Sequence, residues 1–154
     1  MKVLLVCLGN ICRSPMAEGL LRDMAAAHNL ILTTDSAGMI GTHAGETPDP
    51  RAQTAMQGHG IDISDLRARQ FEPYDFERFD LLLAMDASNL RDMLKLAPSP
   101  ALTKKARAVM DFATKHSEHE VPDPYWGNAA DYEHVYELLS DALEGVIRDV
   151  QGKP

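Results

Sequence analysis

One junction limits what this chain can fold into. The continuous apolar run "VLLVCL" (3–8) breaks off into Gly9-Asn10-Ile11-Cys12-Arg13, and Ser14-Pro15 then opens a helical pattern. An unbroken apolar run of that length reads as a strand buried on both faces, the habit of parallel sheets. Ser14 is predicted as the N-cap and Pro15 as the first helical residue, with Ala17, Leu20, Leu21 and Met24 continuing on one face. A strand feeding a helix through a short loop is half of a βαβ unit.

The rest of the chain repeats the alternation. Residues 30–38 and 79–86 read as further strands and 106–112 as a weaker fourth. Asp49-Pro50 opens a helix that Gly58 or Gly60 closes, "LRDMLKL" carries another that stops before Pro98, and a long last helix runs from Asn128 onward. Its apolar face is traced by Tyr132, Val135, Leu139, Ala142, Leu143, Val146 and Val150. The expected fold is therefore α/β: a single domain over 1–154 with a four-stranded parallel sheet and helices on both faces. Ligands of such sheets bind beyond the carboxyl ends of the strands, where the Cys7–Arg13 loop falls.

The chemistry of that loop is that of an anion trap. A helix start presents unpaired N–H groups and the positive end of the helix dipole. Gly9 can take positive φ and Asn10 tolerates it, so the amides of Leu8 through Ser14 can turn inward around one tetrahedral anion. Arg13 adds a planar fork for two oxygens. The same positive surroundings favour the thiolate of Cys7, and the Ser14 hydroxyl can donate to that sulfur. Cys7 and Cys12 are the only two cysteines, so no disulfide framework ties distant segments, as suits a reducing compartment. The histidines show no ligand spacing that would complete a zinc site, and the G-x4-G-K-[ST] loop of nucleotide-binding proteins is missing.

Thiolate attack on a phosphate ester needs an acid for the leaving oxygen. Pro122-Asp123-Pro124-Tyr125-Trp126 offers a carboxyl on a stiffened loop, followed by two aromatics able to wall a flat leaving group. A plain turn is the competing reading there. Asp49-Pro50 is better explained as a helix cap. The formal net charge of −8 argues against nucleic acid and anionic membranes as partners. No segment has the length of a membrane span, and the amino-terminal apolar run ends too early for a signal peptide, so a cytoplasmic protein is expected.

These residues resemble the low-molecular-weight protein tyrosine phosphatases nearly end to end: Val6 through Pro15, Asp35-Ser36-Ala37-Gly38, Pro48-Asp49-Pro50-Arg51-Ala52, Ala68-Arg69-Gln70-Phe71, Asp80 through Asp86 and Asp123-Pro124-Tyr125. The resemblance implies metal-independent hydrolysis of phosphotyrosine and small aryl phosphates through a cysteinyl phosphate on Cys7. No cofactor is implied. Arg13 and the loop Leu8, Gly9, Asn10, Ile11, Cys12 and Ser14 would hold the phosphate, with Asp123 as general acid and then base. It further implies that Ser36 supports the loop through Asn10, and that Cys12 can form a reversible disulfide with Cys7. Thr42 falls where members often carry an aromatic at the pocket mouth, which implies a lower wall there, compensated by Trp126 beside Tyr125. The implied partner is a phosphotyrosine-containing protein, met by a monomer or weak self-associate. Two other functions fit the loop: an arsenate reductase of the same fold, which needs further cysteines that are missing after Cys12, and an inactive oxyanion binder.

Overall fold

A computed structural model describes residues 1–152. Strands β1 (Lys2–Cys7), β2 (Thr33–Gly38), β3 (Leu81–Ala84) and β4 (Ala106–Ala108) form one sheet in the order β2-β1-β3-β4, every pair parallel. Helices α1 (Arg13–Ala27), α2 (Pro50–Gln57), α3 (Asp75–Arg78), α4 (Ala87–Lys95) and α5 (Ala129–Val150) complete it, with 3-10 turns at Pro100–Lys105 and Val109–Phe112. The strand order reverses beside β1, so the loop leaving β1 lies at the switch point where such sheets bind ligands.

Alternation along β1 builds two cores. Val3, Leu5 and Cys7 face a cluster containing Leu20 and Leu21 of α1 and Leu139, Leu143 and Val146 of α5, whereas Leu4 and Val6 face Phe76 of α3 and Met93 of α4. Both faces of the sheet are thus covered. Helix α5 approaches closely because Gly145 has no side chain: a Cβ there would sit 1.9 Å from the Phe112 carbonyl oxygen.

Several predicted boundaries shift for identifiable reasons. Helix α1 begins one residue before Ser14, with Cys12 at the cap position and no side-chain cap. Strand β2 loses Leu30–Leu32 because α1 ends in a Schellman motif. Asn29 takes φ +55°, the Leu30 N–H reaches the Ala25 carbonyl at 2.8 Å, and the Asn29 N–H reaches that of Ala26 at 3.1 Å. The third strand is trimmed to Leu81–Ala84, and the fourth stops where Ala108 pairs with Ala84, after which the chain coils into a 3-10 turn whose Val109 and Met110 are buried. The predicted cap Asp49 stands at the start of α2, and Asn128 caps α5 in a reciprocal capping box with Asp131.

Candidate active site

Because β1 is buried from Val3 through Cys7, its end is fixed in the core, and Cys7 is only 3% exposed. The loop that follows folds back over the sulfur: the Asn10 N–H donates to Cys7 Sγ at 3.2 Å, and Ser14 Oγ lies 3.0 Å from it. The positive φ needed for that reversal, +59°, is taken by Asn10 and not by Gly9. At Gly9 a Cβ would stand 3.3 Å from the His43 ring, a contact that a small shift of that side chain would relieve.

Asn10 is held on three sides. Its Nδ2 donates to Ser14 Oγ at 2.7 Å and to Ser36 Oγ at 2.9 Å, and its Oδ1 accepts from the Arg69 N–H at 2.9 Å. Ser36 in turn donates to Glu18 at 2.7 Å. Burial pushes the Glu18 carboxyl up, an effect the Ser36 hydroxyl partly offsets. The loop also rests directly on Gly38, where a Cβ would meet Leu8 O at 2.8 Å and Asn10 N at 3.0 Å. Composition gave no sign of this close approach, because it depends on two segments meeting in space.

Among the described residues, the main-chain N–H groups of Gly9, Ile11, Cys12 and Arg13 donate to no protein acceptor. The first turn of α1 also lacks a side-chain cap and an acidic residue. Open donors at a helix start suit a tetrahedral oxyanion. Arg13 is 3% exposed, and its Nη1 donates to Asp86 at 2.7 Å and to the Val121 carbonyl at 3.0 Å. With Nη1 fixed, Nε and Nη2 remain for ligand oxygens. Sequence reasoning missed Asp86, whose other oxygen caps α4 by accepting from the Asn89 N–H at 2.7 Å.

The cleft above Cys7 has a volume of about 220 Å³ and is lined by the loop together with Ile40, His43, Asp123, Tyr125 and Trp126. One Asp123 oxygen accepts from the Tyr125 N–H at 3.1 Å, closing an Asx turn, while the other is 3.9 Å from Arg13 Nη2. The turn reading and the site reading of 122–126 therefore describe the same carboxylate. The Tyr125 and Trp126 rings meet edge to face at 4.9 Å, and Trp126 is 91% exposed at the mouth. Thr42 is exposed and does not line the cleft; Ile40 and His43, on either side of it in sequence, do. Cys12 also lines the cleft, its Sγ 3.4 Å from the Tyr132 hydroxyl, and burial pushes its thiol up to about 12. No group of three or more His, Cys, Asp or Glu side chains among the described residues is arranged to hold a metal ion.

A parallel α/β sheet carrying Cys-x5-Arg at the β1–α1 junction, with a carboxylate across the cleft, fits the class of cysteine-dependent phosphatases. The chain belongs to the low molecular weight phosphotyrosine protein phosphatase family, whose sequence profile matches residues 2–153. It is 44% identical over 149 residues to a Synechocystis relative named for the same family, covering 96% of this chain and 94% of that one. It is 40% identical over 137 residues to the human low molecular weight phosphotyrosine protein phosphatase, covering 88% and 86%. The crystal structure of the Entamoeba histolytica protein tyrosine phosphatase with Hepes in its active site superposes with a TM-score of 0.95 at 35% identity, covering 99% of this chain and 97% of that one.

Proposed function

We propose that Cys7, Arg13 and Asp123 hydrolyse phosphotyrosine by two successive in-line displacements. The observation that carries this reading is that Cys7, Arg13 and Asp123 line one cleft, with the Asn10 N–H on the Cys7 sulfur and the Asp123 carboxylate 3.9 Å from Arg13 Nη2. In the first step the Cys7 thiolate attacks phosphorus, the bond from phosphorus to the tyrosyl oxygen breaks, and Asp123 delivers its proton to that oxygen. Arg13 and the loop amides hold the three remaining oxygens, supplying by position and charge what stabilises phosphoryl transfer.

In the second step Asp123, now a carboxylate, takes a proton from the attacking water. The phosphorus–sulfur bond breaks, and Cys7 leaves as a thiolate that accepts a hydrogen bond from Ser14. Inorganic phosphate departs, and the enzyme returns to its starting protonation. Tyr125 and Trp126 supply an aromatic flank suited to a phenyl ring, which supports phosphotyrosine over phosphoserine. The substrate is a phosphotyrosine-containing protein met in the cytoplasm by a monomer or weak self-associate. Neither nucleic acid nor a membrane is part of this reading: the net charge is −8, and no helix among the described residues is long and apolar enough to cross a bilayer.

The test is hydrolysis of phosphotyrosine and phosphoserine peptides in EDTA by the wild type and Cys7→Ser. Turnover restricted to phosphotyrosine and abolished in the variant is expected. Retained turnover in Cys7→Ser refutes the nucleophile, and equal turnover of the two peptides refutes the substrate class.

A further inference from the structure

Residues 49–51 join the two halves of the site. The Asp49 N–H donates to the carbonyl of Ile11 in the phosphate loop at 2.8 Å, so the start of α2 is attached to that loop. The Asp49 carboxylate is gripped by Arg51, whose Nε and Nη2 donate at 3.1 and 2.9 Å. The remaining Nη1 of Arg51 crosses to the Tyr125 carbonyl at 2.9 Å, in the loop that carries Asp123. Its guanidinium also lies 5.3 Å from the centre of the Tyr125 ring and 5.1 Å from that of Tyr132. The Tyr132 hydroxyl touches Cys12, so the contact returns to the phosphate loop from a second side.

Arg51 bonds neither sulfur and is not among the residues lining the cleft above Cys7. Helix capping explains Asp49 but not Arg51, because the cap needs only the Arg51 main-chain N–H, which Asp49 accepts at 2.8 Å. The guanidinium fork does something else: it spans from Asp49 to Tyr125, a separation of 76 positions in the chain. The carboxyl it serves is held otherwise by one Asx-turn hydrogen bond and a 3.9 Å approach to Arg13, on a loop where Asp123 and Trp126 are exposed. A carboxyl so lightly held needs an outside support if it is to meet the leaving oxygen at hydrogen-bond range.

We propose that Arg51 is a positioning residue for the general acid: its fork ties the Asp123 loop to the phosphate loop through Asp49 and fixes the height of the Asp123 carboxyl above Cys7. The inference rests on the proposed role of Asp123 as proton donor. Arg51 suits the task because a guanidinium can bond a carboxylate with two nitrogens and a carbonyl with the third while lying flat on an aromatic ring. An ammonium offers no such planar three-way span.

The experiment is a kcat/KM series over aryl phosphates, from 2,4-dinitrophenyl phosphate, which needs little protonation, to phenyl phosphate, which needs much. For Arg51→Met, a loss of about tenfold on phenyl phosphate is expected, against less than about threefold on the dinitrophenyl ester. The inhibition constant for inorganic phosphate should stay within about threefold of wild type, since the cradle itself is untouched. In the Asp123→Asn background, Arg51→Met should cost nothing further on phenyl phosphate, the mark of two residues acting through one step. Asp49→Asn, which keeps a capping side chain but weakens the fork, should reproduce the leaving-group dependence in milder form, and it serves as the test if Arg51→Met does not fold. Equal losses across the ester series, or an undiminished loss in the Asp123→Asn background, overturn the positioning role. An Asp123→Asn enzyme indifferent to the leaving group would bring down the proton-donor assignment and the Arg51 role with it. A leaving-group-sensitive Asp123→Asn beside an indifferent Arg51→Met overturns Arg51 alone.

Discussion

The Cys7 sulfur and the Ser14 hydroxyl oxygen lie 3.0 Å apart, placed so that the hydroxyl can donate to a Cys7 thiolate. Asn10 Nδ2 already donates to Ser14 Oγ at 2.7 Å, so that oxygen acts as an acceptor on one side and its own hydrogen is free for the sulfur. The contact strengthens as charge returns to sulfur when the cysteinyl phosphate breaks. Ser14→Ala should therefore lower kcat by about 10–100-fold, the worth of one hydrogen bond to a charged group. Rapid-quench measurement should find phosphoenzyme accumulating, with its formation less affected than its breakdown.

Asp86 holds Arg13 from behind. Asp86→Asn keeps an oxygen for Nη1 but removes the charge nearest a buried guanidinium, leaving only Asp123 at 3.9 Å. Inorganic phosphate should then bind about tenfold more weakly, because the fork is no longer aimed at the cradle. Competitive inhibition by phosphate measures this directly.

Gly38 leaves no room for a methyl group beneath the loop. Gly38→Ala should cost about 1–3 kcal/mol of stability by overpacking and lower kcat/KM by at least about tenfold. Urea denaturation and the kinetics of the same preparation report the two effects.

Asp141 gives the fold a pH signature away from the cleft. It accepts from the main-chain N–H groups of Thr114, Lys115 and His116 at 3.0, 3.0 and 2.8 Å and from His116 Nδ1 at 2.9 Å. Burial alone would push its carboxyl up, but these donors hold it at about 2 against an ordinary 3.8. A folded value below the unfolded one contributes stability that is complete above about pH 5 and lost as pH falls through about 2. Its size is about 2 kcal/mol. The stability gap between wild type and Asp141→Asn, followed by urea denaturation, should narrow over that acidic interval and stay constant at neutral pH.

Burial keeps Cys12 a thiol at neutral pH, so iodoacetamide at pH 7 should label Cys7 and spare Cys12, as peptide mass spectrometry would show. Under peroxide, Cys7 should be oxidised to the sulfenic acid, which Cys12 converts to a disulfide with release of water. Activity recovered by dithiothreitol after peroxide should fall sharply in Cys12→Ser. Unchanged recovery would leave Cys12 as a packing residue.

What could be read in advance was whatever depends on neighbours in the chain. The apolar run of β1, the Cys-x5-Arg loop, the Asp49 cap and the stiff Asp123 segment are all local patterns with local physical causes. The grip of Asp86 on Arg13 spans 73 positions and follows from β3 lying beside β1, which no local pattern states. Gly38 and Gly145 are small because other segments press on them. Leu30–Leu32 looked like strand because β-branched and aliphatic residues suit a pleat, yet the Schellman ending of α1 consumes Leu30 first. Ser14 looked like a cap because serine commonly is one, but its hydroxyl is engaged by Asn10 and Cys7.

Most helices close their first turn with their own side chains; α1 does not, and the omission links catalysis to the medium. Whatever oxyanion fills the cradle stands in for the missing cap and steadies the native state by mass action. Released phosphate does this as readily as substrate. On the proposed reading, phosphate released at each turnover should raise the unfolding free energy while it occupies the site and compete with substrate until it leaves.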